Sequence, residues 1–314
     1  MGTAGAAAER SKAWLLARRK LTGLLNTFRS FSTYEWVRNL AFAAAGLGLL
    51  CGLYCGFYRL LAYLDTVELI GRLLIWKLTA MLMLTTFSMV SVSGLLVSLT
   101  TLYFSFDLRF LMSAPLSVAD IFIEKSLESI FFSSWMIGLV LLPFVIALAQ
   151  VLGFGWGFYA AFLALLPPFL ALAASGGIAI TLVILYLFPS SRTRDAIYVL
   201  ATLSLTLVYA LIRFAEPERL IRPDALHVVA DYLNFLKAPT APFAPSWWLT
   251  KALSSFAAGE TAVFLRFGAL LYAAAALVYG LLLALAGRVY LAGYSGAQEG
   301  TLRRLGLPLG VLFE

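Results

Sequence analysis

Residues 129–151 read SIFFSSWMIGLVLLPFVIALAQV, twenty-three positions without a single charge. At 1.5 Å rise per residue such a run makes a helix of about 34 Å, enough to cross the roughly 30 Å hydrocarbon core of a bilayer. The whole chain is built in the same way. Of its 314 residues 62% are hydrophobic and only 12% are charged, and the mean hydropathy is +0.91. A soluble domain is about half apolar and a quarter charged. The composition therefore specifies an all-α polytopic membrane protein. Six stretches are long and apolar enough to span: approximately 40–62, 78–103, 129–151, 158–187, 196–214 and 263–287. An amphipathic segment (1–39) precedes this domain (40–291), which carries one long outer loop (216–260), and a tail (292–314) follows it.

Orientation follows the lysine and arginine bias of the flanking segments. Arg10, Lys12, Arg18, Arg19, Lys20, Arg29 and Arg38 precede the first span. Six spans with that end inside also bring Arg109, Lys125, Arg192, Arg194, Arg288, Arg303 and Arg304 inside, fourteen of the twenty-three basic residues. Both termini are then expected in the cytoplasm. Residues 13–36 interleave leucines with basic residues, which suits a helix lying on an anionic leaflet.

Several features read as packing. Gly48, Gly52 and Gly56 recur every fourth residue in the first span, with Ala44, and form a smooth ridge that another helix can approach. Cys51 and Cys55, one turn apart, are expected as reduced packing residues. Thr85, Ser88, Ser91, Gly94 and Ser98 gather near one face of the second span, where interhelical hydroxyl bonds are the first reading and a substrate-lining face the second. Pro167, Pro168 and AASGG at 173–177 are expected to bend or weaken the fourth span, as a hinge or as accommodation in a crowded bundle. GFGWG at 153–157 reads as a tight outer hairpin and PSSRTRD at 189–195 as a short inner turn. In the long outer loop, Asp224 caps an amphipathic helix, and Pro239, Pro242 and Pro245 end it. Ser246 follows as a new cap, with Trp247 and Trp248 at the depth of an interfacial aromatic belt.

Some chemistry is missing. No glycine-rich loop ending in Gly-Lys-Ser or Gly-Lys-Thr occurs, so ATP binding by that route is excluded. The single histidine, His227, has no metal-ligand spacing around it, and no metal site is expected. No charge falls in the central part of a span, which argues against ion coupling. Glu124 and Glu128 stand one turn apart at the inner mouth of the third span. Lys125 can pair with Glu128 at i+3, and the two carboxylates are candidates for a role in gating.

Between the second and third spans lies DLRFLMSAPLS, residues 107–117. Leu108, Leu111 and Met112 fall on one side of a short helix that Pro115 stops. Ser117 and Asp120 then have the spacing of a helix start. The expected product is a short helix parallel to the inner membrane face, offering an apolar ridge to a soluble partner.

DLRFLMSAPLSVADIFIEK resembles the inner loop of the permeases of type 2 ATP-binding cassette exporters, in which an Asp-Leu-x-x-Leu-x-x-x-Pro run follows the second span. APSWWLTKAL at 244–253 is similar to the Pro-Ser-x-Trp-Leu stretch between their last two spans. The resemblance covers about residues 30–300. It implies a non-enzymatic permease subunit in the bacterial inner membrane, exporting an unknown substrate by alternating access. It further implies that a separate ATPase subunit, carrying ATP and Mg, receives a coupling helix made here by Asp107, Leu108, Leu111, Met112, Pro115, Leu116 and Ser117. This chain itself would bind no cofactor. Its partners would be that ATPase, a second permease half or second copy, and the bilayer, with no nucleic acid. Relatives of this kind often continue into a second set of spans, so the chain is expected to be a half that pairs, or a truncated one. The rival readings are a secondary carrier or channel and a non-transporting membrane assembly subunit; a membrane enzyme fits the residues least.

Overall fold

A computed structural model describes residues 33–67, 70–103, 105–113, 117–187 and 243–304, with Thr202 and Thr206. Its seven described helices are α1 (Thr33–Asp65), α2 (Gly71–Tyr103), α3 (Leu108–Ser113), α4 (Val118–Val151), α5 (Trp156–Leu187), α6 (Pro245–Ala257) and α7 (Thr261–Arg304). Every described element is helical. Five of the helices, over Trp36–Asp65, Gly71–Tyr103, Val118–Val151, Trp156–Ile184 and Thr261–Gly287, are long and apolar enough to cross a membrane. The span expected at 196–214, the amphipathic lead-in, the inner turn at 189–195, the outer-loop helix with His227, and the last ten residues lie outside the described residues.

Two compact units divide the chain, Met1–Cys55 and Gly56–Glu314. In the first, the described part of α1 is exposed along most of its length. Cys51 and Cys55 are free and exposed rather than packed. In the second, α2, α4, α5, α6 and α7 bury one another.

The helices outrun the bilayer. α4 has 34 residues and so extends about 51 Å, against a hydrocarbon core of about 30 Å. Its uncharged stretch, residues 129–151, is by itself long enough for that core, and the turns from Val118 to Glu128 are additional length. α7 likewise continues as helix to Arg304, well past its apolar part.

Tight turns join the helices on one side. Gly153 has φ +71° after α4, and the Phe154 amide donates to Ala149 O at 2.8 Å, a glycine-terminated helix end. Gly259 (φ +78°) repeats the device after α6, with Glu260 N donating to Ser255 O at 2.8 Å. GFGWG is thus a short hairpin between α4 and α5, as the sequence predicts.

The centre of the bundle is the α2–α5 crossing. A Cβ on Gly177 would stand 2.3 Å from Ser91 O and 2.5 Å from Leu95 N, and one on Gly94 would stand 3.0 Å from Ala174 Cα. Hydroxyls tie the crossing together: Ser91 Oγ donates to Ala173 O at 3.0 Å, Ser98 Oγ to Thr181 Oγ1 at 2.7 Å, and Thr181 Oγ1 to Leu95 O at 3.0 Å. Without a hydrophobic force between helices in lipid, such close backbone approach and interhelical bonding drive association. The polar face of the second span is therefore a packing face at Ser91, Gly94 and Ser98. Ser88 instead turns back to its own helix, donating to Leu84 O at 2.9 Å, and Thr85 is exposed. α5 runs as one helix through Pro167, Pro168 and the Ser-Gly-Gly run, where Gly177 admits α2.

This crossing distinguishes two adjacent glycines. Gly177→Ala must push α2 and α5 apart and is expected to lower stability by about 1 to 3 kcal/mol. Gly176→Ala, where a Cβ meets nothing within 4 Å, is expected to be neutral or to stabilise by up to about 1 kcal/mol through helix propensity. Thermal unfolding of both variants in detergent checks the contrast, and equal effects would contradict it.

Candidate functional site

The site begins with a serine and an aspartate. Ser117 caps α4: its Oγ accepts from the Asp120 amide at 3.1 Å, while the Asp120 carboxylate accepts from the Ser117 amide at 3.3 Å, the reciprocal box predicted from their spacing. That box fixes where α4 starts. Two turns on, α4 carries Lys125 inward, with its side chain only 1% exposed.

A buried ammonium requires paired carboxylates, because desolvation of an unpaired charge costs several kcal/mol. Lys125 has two. Its Nζ donates to both Asp107 oxygens at 2.8 Å and to Glu128 Oε2 at 3.0 Å, with Ser105 Oγ as a further acceptor at 3.2 Å. The Ser105 hydroxyl in turn donates to Asp107. The i+3 pair with Glu128 is the one predicted. The pair with Asp107, eighteen residues away in sequence, is new, and it ties the start of α3 to the flank of α4. Burial alone would push the Asp107 carboxyl up, but hydrogen bonds from Lys125 and Ser105, with the ammonium's charge, outweigh it and hold it below its ordinary value.

α3 forms as expected, with the Leu111 amide donating to Asp107 O at 3.0 Å. Its apolar ridge points the other way from the expectation. Leu108 and Leu111 are buried in a cluster with Tyr103 of α2, Phe122 of α4, Leu182 of α5 and Tyr290 of α7. They anchor α3 to the bundle and are not offered to a partner. The reason is local: α3 has apolar residues on more than one side, and the bundle takes the leucines. Phe106, 100% exposed, and Phe110, 60% exposed, form the outer apolar face instead. Sequence reading passed over them, although their i, i+4 spacing was the available signal. The Met112 side chain, Pro115 and Leu116 lie outside the described residues; Ser117 serves as the cap.

Around the cluster, α7 is pinned by its tyrosines. Tyr290 Oη donates to Leu102 O at 2.8 Å and Tyr279 shares a 2.9 Å hydrogen bond with Ser126 of α4. Phe122 meets Tyr290 edge-on, with ring centroids 5.3 Å apart. Thus α2, α3, α4 and α7 converge where Lys125 sits.

At the other candidate positions, Ser246 does not cap. α6 starts at Pro245 after Ala244, because proline suits the first helical turn, and Ser246 lies buried inside it with its carbonyl accepting from Thr250 Oγ1 at 2.9 Å. Trp247 packs edge-on against Phe267 at 5.2 Å, and Trp248 is partly buried. At Gly48, Gly52 and Gly56 a Cβ would meet nothing within 4 Å.

The cluster sets two expectations. Lys125→Met leaves Asp107 and Glu128 facing each other and is expected to destabilise by about 1 to 3 kcal/mol. That is below the roughly 3 to 5 kcal/mol of a fully buried pair, since water reaches both carboxylates. Asp107→Asn should cost less in the same thermal melt, and the opposite order would contradict the assignment. Because the folded pKa of Asp107 is depressed, its contribution is complete above the ordinary value of about 3.9 and is lost as pH falls through the lower folded value. A spin label at residue 106, in a chain whose two cysteines are replaced by alanine, should keep its mobility from neutral pH to about 4 and loosen below it; loosening between pH 7 and 5 would contradict this.

Comparison with curated proteins and with solved structures gave no match. A family model matches residues 30–305, and its description is "Putative ATP-binding cassette". That description is of a nucleotide-binding cassette and not of a permease. It overturns the reading of the chain as a non-enzymatic type 2 exporter permease and the assignment of ATP hydrolysis to a separate subunit. The match extends over most of the 314 residues, and the chain belongs to this ATP-binding cassette family.

Proposed function

We propose that the chain is a membrane-embedded component of an ATP-binding cassette system, and that α3 is the element through which nucleotide-driven movement reaches the membrane helices. The carrying observation is the clamp on α3. Buried Leu108 and Leu111 hold it from below and the Asp107–Lys125 pair holds it at its start. A force applied to α3 is thereby delivered to α4 and, through the shared apolar cluster, to α2, α5 and α7.

The exposed aromatic pair, Phe106 just ahead of α3 and Phe110 within it, is the contact for a partner component of the system. Exposed aromatic residues are the usual anchors of such contacts. Asp107 and Ser117 act by positioning α3 and α4, and Met112, Pro115 and Leu116 close the same segment. The basic bias of the flanking segments supports a cytoplasmic location for this end and both termini, in a bacterial inner membrane. Gly48, Gly52 and Gly56 supply the surface for a second copy, where nothing within 4 Å obstructs close approach. Trp247 and Trp248 stand at the outer interface. Glu128, and Glu124 one turn before it, belong to the inner mouth where gating would act.

The test uses the chain purified with its partners from native membranes, with a fluorophore at residue 110. Addition of ATP and Mg should change its emission. Phe106→Ala with Phe110→Ala should weaken association with that partner component at least tenfold, since aromatic anchors commonly carry about 2 kcal/mol or more. The melting temperature should hardly move, because exposed substitutions stay within about 0.5 kcal/mol. Unchanged association and no nucleotide-dependent signal would overturn the reading. Photolabelling with azido-ATP on the same preparation reports whether nucleotide contacts this chain.

A further inference from the structure

Lys125 is held by carboxylates from two elements that need not move together. Asp107 belongs to the connection ahead of α3, whereas Glu128 lies three residues along α4 itself, so the Lys125–Glu128 contact travels with α4 whatever α3 does. The exposures are unequal. The ammonium is 1% exposed, Glu128 23% and Asp107 49%. Stripping a buried ammonium of all its carboxylates is costly, but releasing a half-hydrated carboxylate to water is not.

We infer that the Asp107–Lys125 contact is a releasable latch, in which α3 tilts away from α4 about its buried leucines while Glu128 keeps the Lys125 ammonium compensated. Ser105 completes the device. Its hydroxyl donates to Asp107, so the departing carboxylate keeps one of its hydrogen bonds. Leu108 and Leu111, both in the shared apolar cluster, are the pivot, and they limit the motion to a tilt. The latch is a property of this chain alone and stands independently of what docks at Phe106 and Phe110.

The two interpretations differ in sign for one variant. In the latch, Glu128 is the sole carboxylate on Lys125 in the released state and one of two in the held state. Glu128→Gln therefore penalises release more than holding. Amide hydrogen exchange of residues 105–113, measured on the full chain in lipid nanodiscs, reads the release equilibrium. Glu128→Gln should slow that exchange roughly threefold or more, the size of a partly exposed ion pair, and Asp107→Asn should speed it. If Glu128→Gln fails to fold, Glu128→Asp, with a shorter reach to Lys125, is read in the same direction. Unchanged or faster exchange in a folded Glu128 variant overturns the latch, as does unchanged exchange in Asp107→Asn.

Discussion

One buried ammonium constrains the whole end of the bundle at which α2 stops and α4 starts. Lys125 cannot sit on the inner face of α4 unless carboxylates come to it, and α4 itself supplies only Glu128 at the right spacing. Asp107 folds back over α4 as the second carboxylate, and this sets which way α3 faces while the contact is made. With Asp107 in place, Leu108 and Leu111 fall into the apolar cluster, and Phe106 and Phe110 are left outside. The fate of four side chains thus follows from one charge.

The position of that charge along α4 explains how a membrane helix tolerates it. Lys125 lies seven residues from the start of α4, about 10 Å along its axis. The uncharged run begins at residue 129, and a charge at mid-bilayer would cost at least about 2.5 to 3.5 kcal/mol. The ion cluster thus lies on the first turns of α4, ahead of its uncharged run and continuous with it in one helix. At the α2–α5 crossing, Gly177 lies against the backbone of Ser91 and Leu95 and lets the two helices meet closely.

Much of this was readable in the sequence because it is local. The four apolar runs among the described residues from 40 to 187, the capping box at Ser117 and Asp120, the i+3 pair of Lys125 with Glu128, and the packing role of Ser91, Gly94 and Ser98 all rest on spacings within a turn or two of helix. What could not be read was long-range or directional. The Asp107–Lys125 pair joins residues eighteen apart across a loop, and no periodicity reports it. The amphipathicity of α3 showed that an apolar stripe exists, but not which stripe the bundle would claim, since phenylalanines and leucines alternate around so short a helix. At Ser246 the cap preference lost to Pro245, one residue earlier. The resemblance of the inner loop and of the stretch at 244–253 to exporter permeases led to an assignment that the family description does not share, because short motifs on a fold do not by themselves fix function.

The most direct test of the account is a distance in a bilayer. In the chain reconstituted in lipid with 15N-lysine and 13C-aspartate, solid-state dipolar dephasing should report one lysine Nζ in close contact with an aspartate carboxyl carbon. The two 2.8 Å Lys125–Asp107 hydrogen bonds require that contact. The signal should vanish in Asp107→Asn and survive in Asp120→Asn. A wild-type spectrum without that contact, or one indifferent to Asp107, would contradict the central claim that Lys125 clamps α3 to α4.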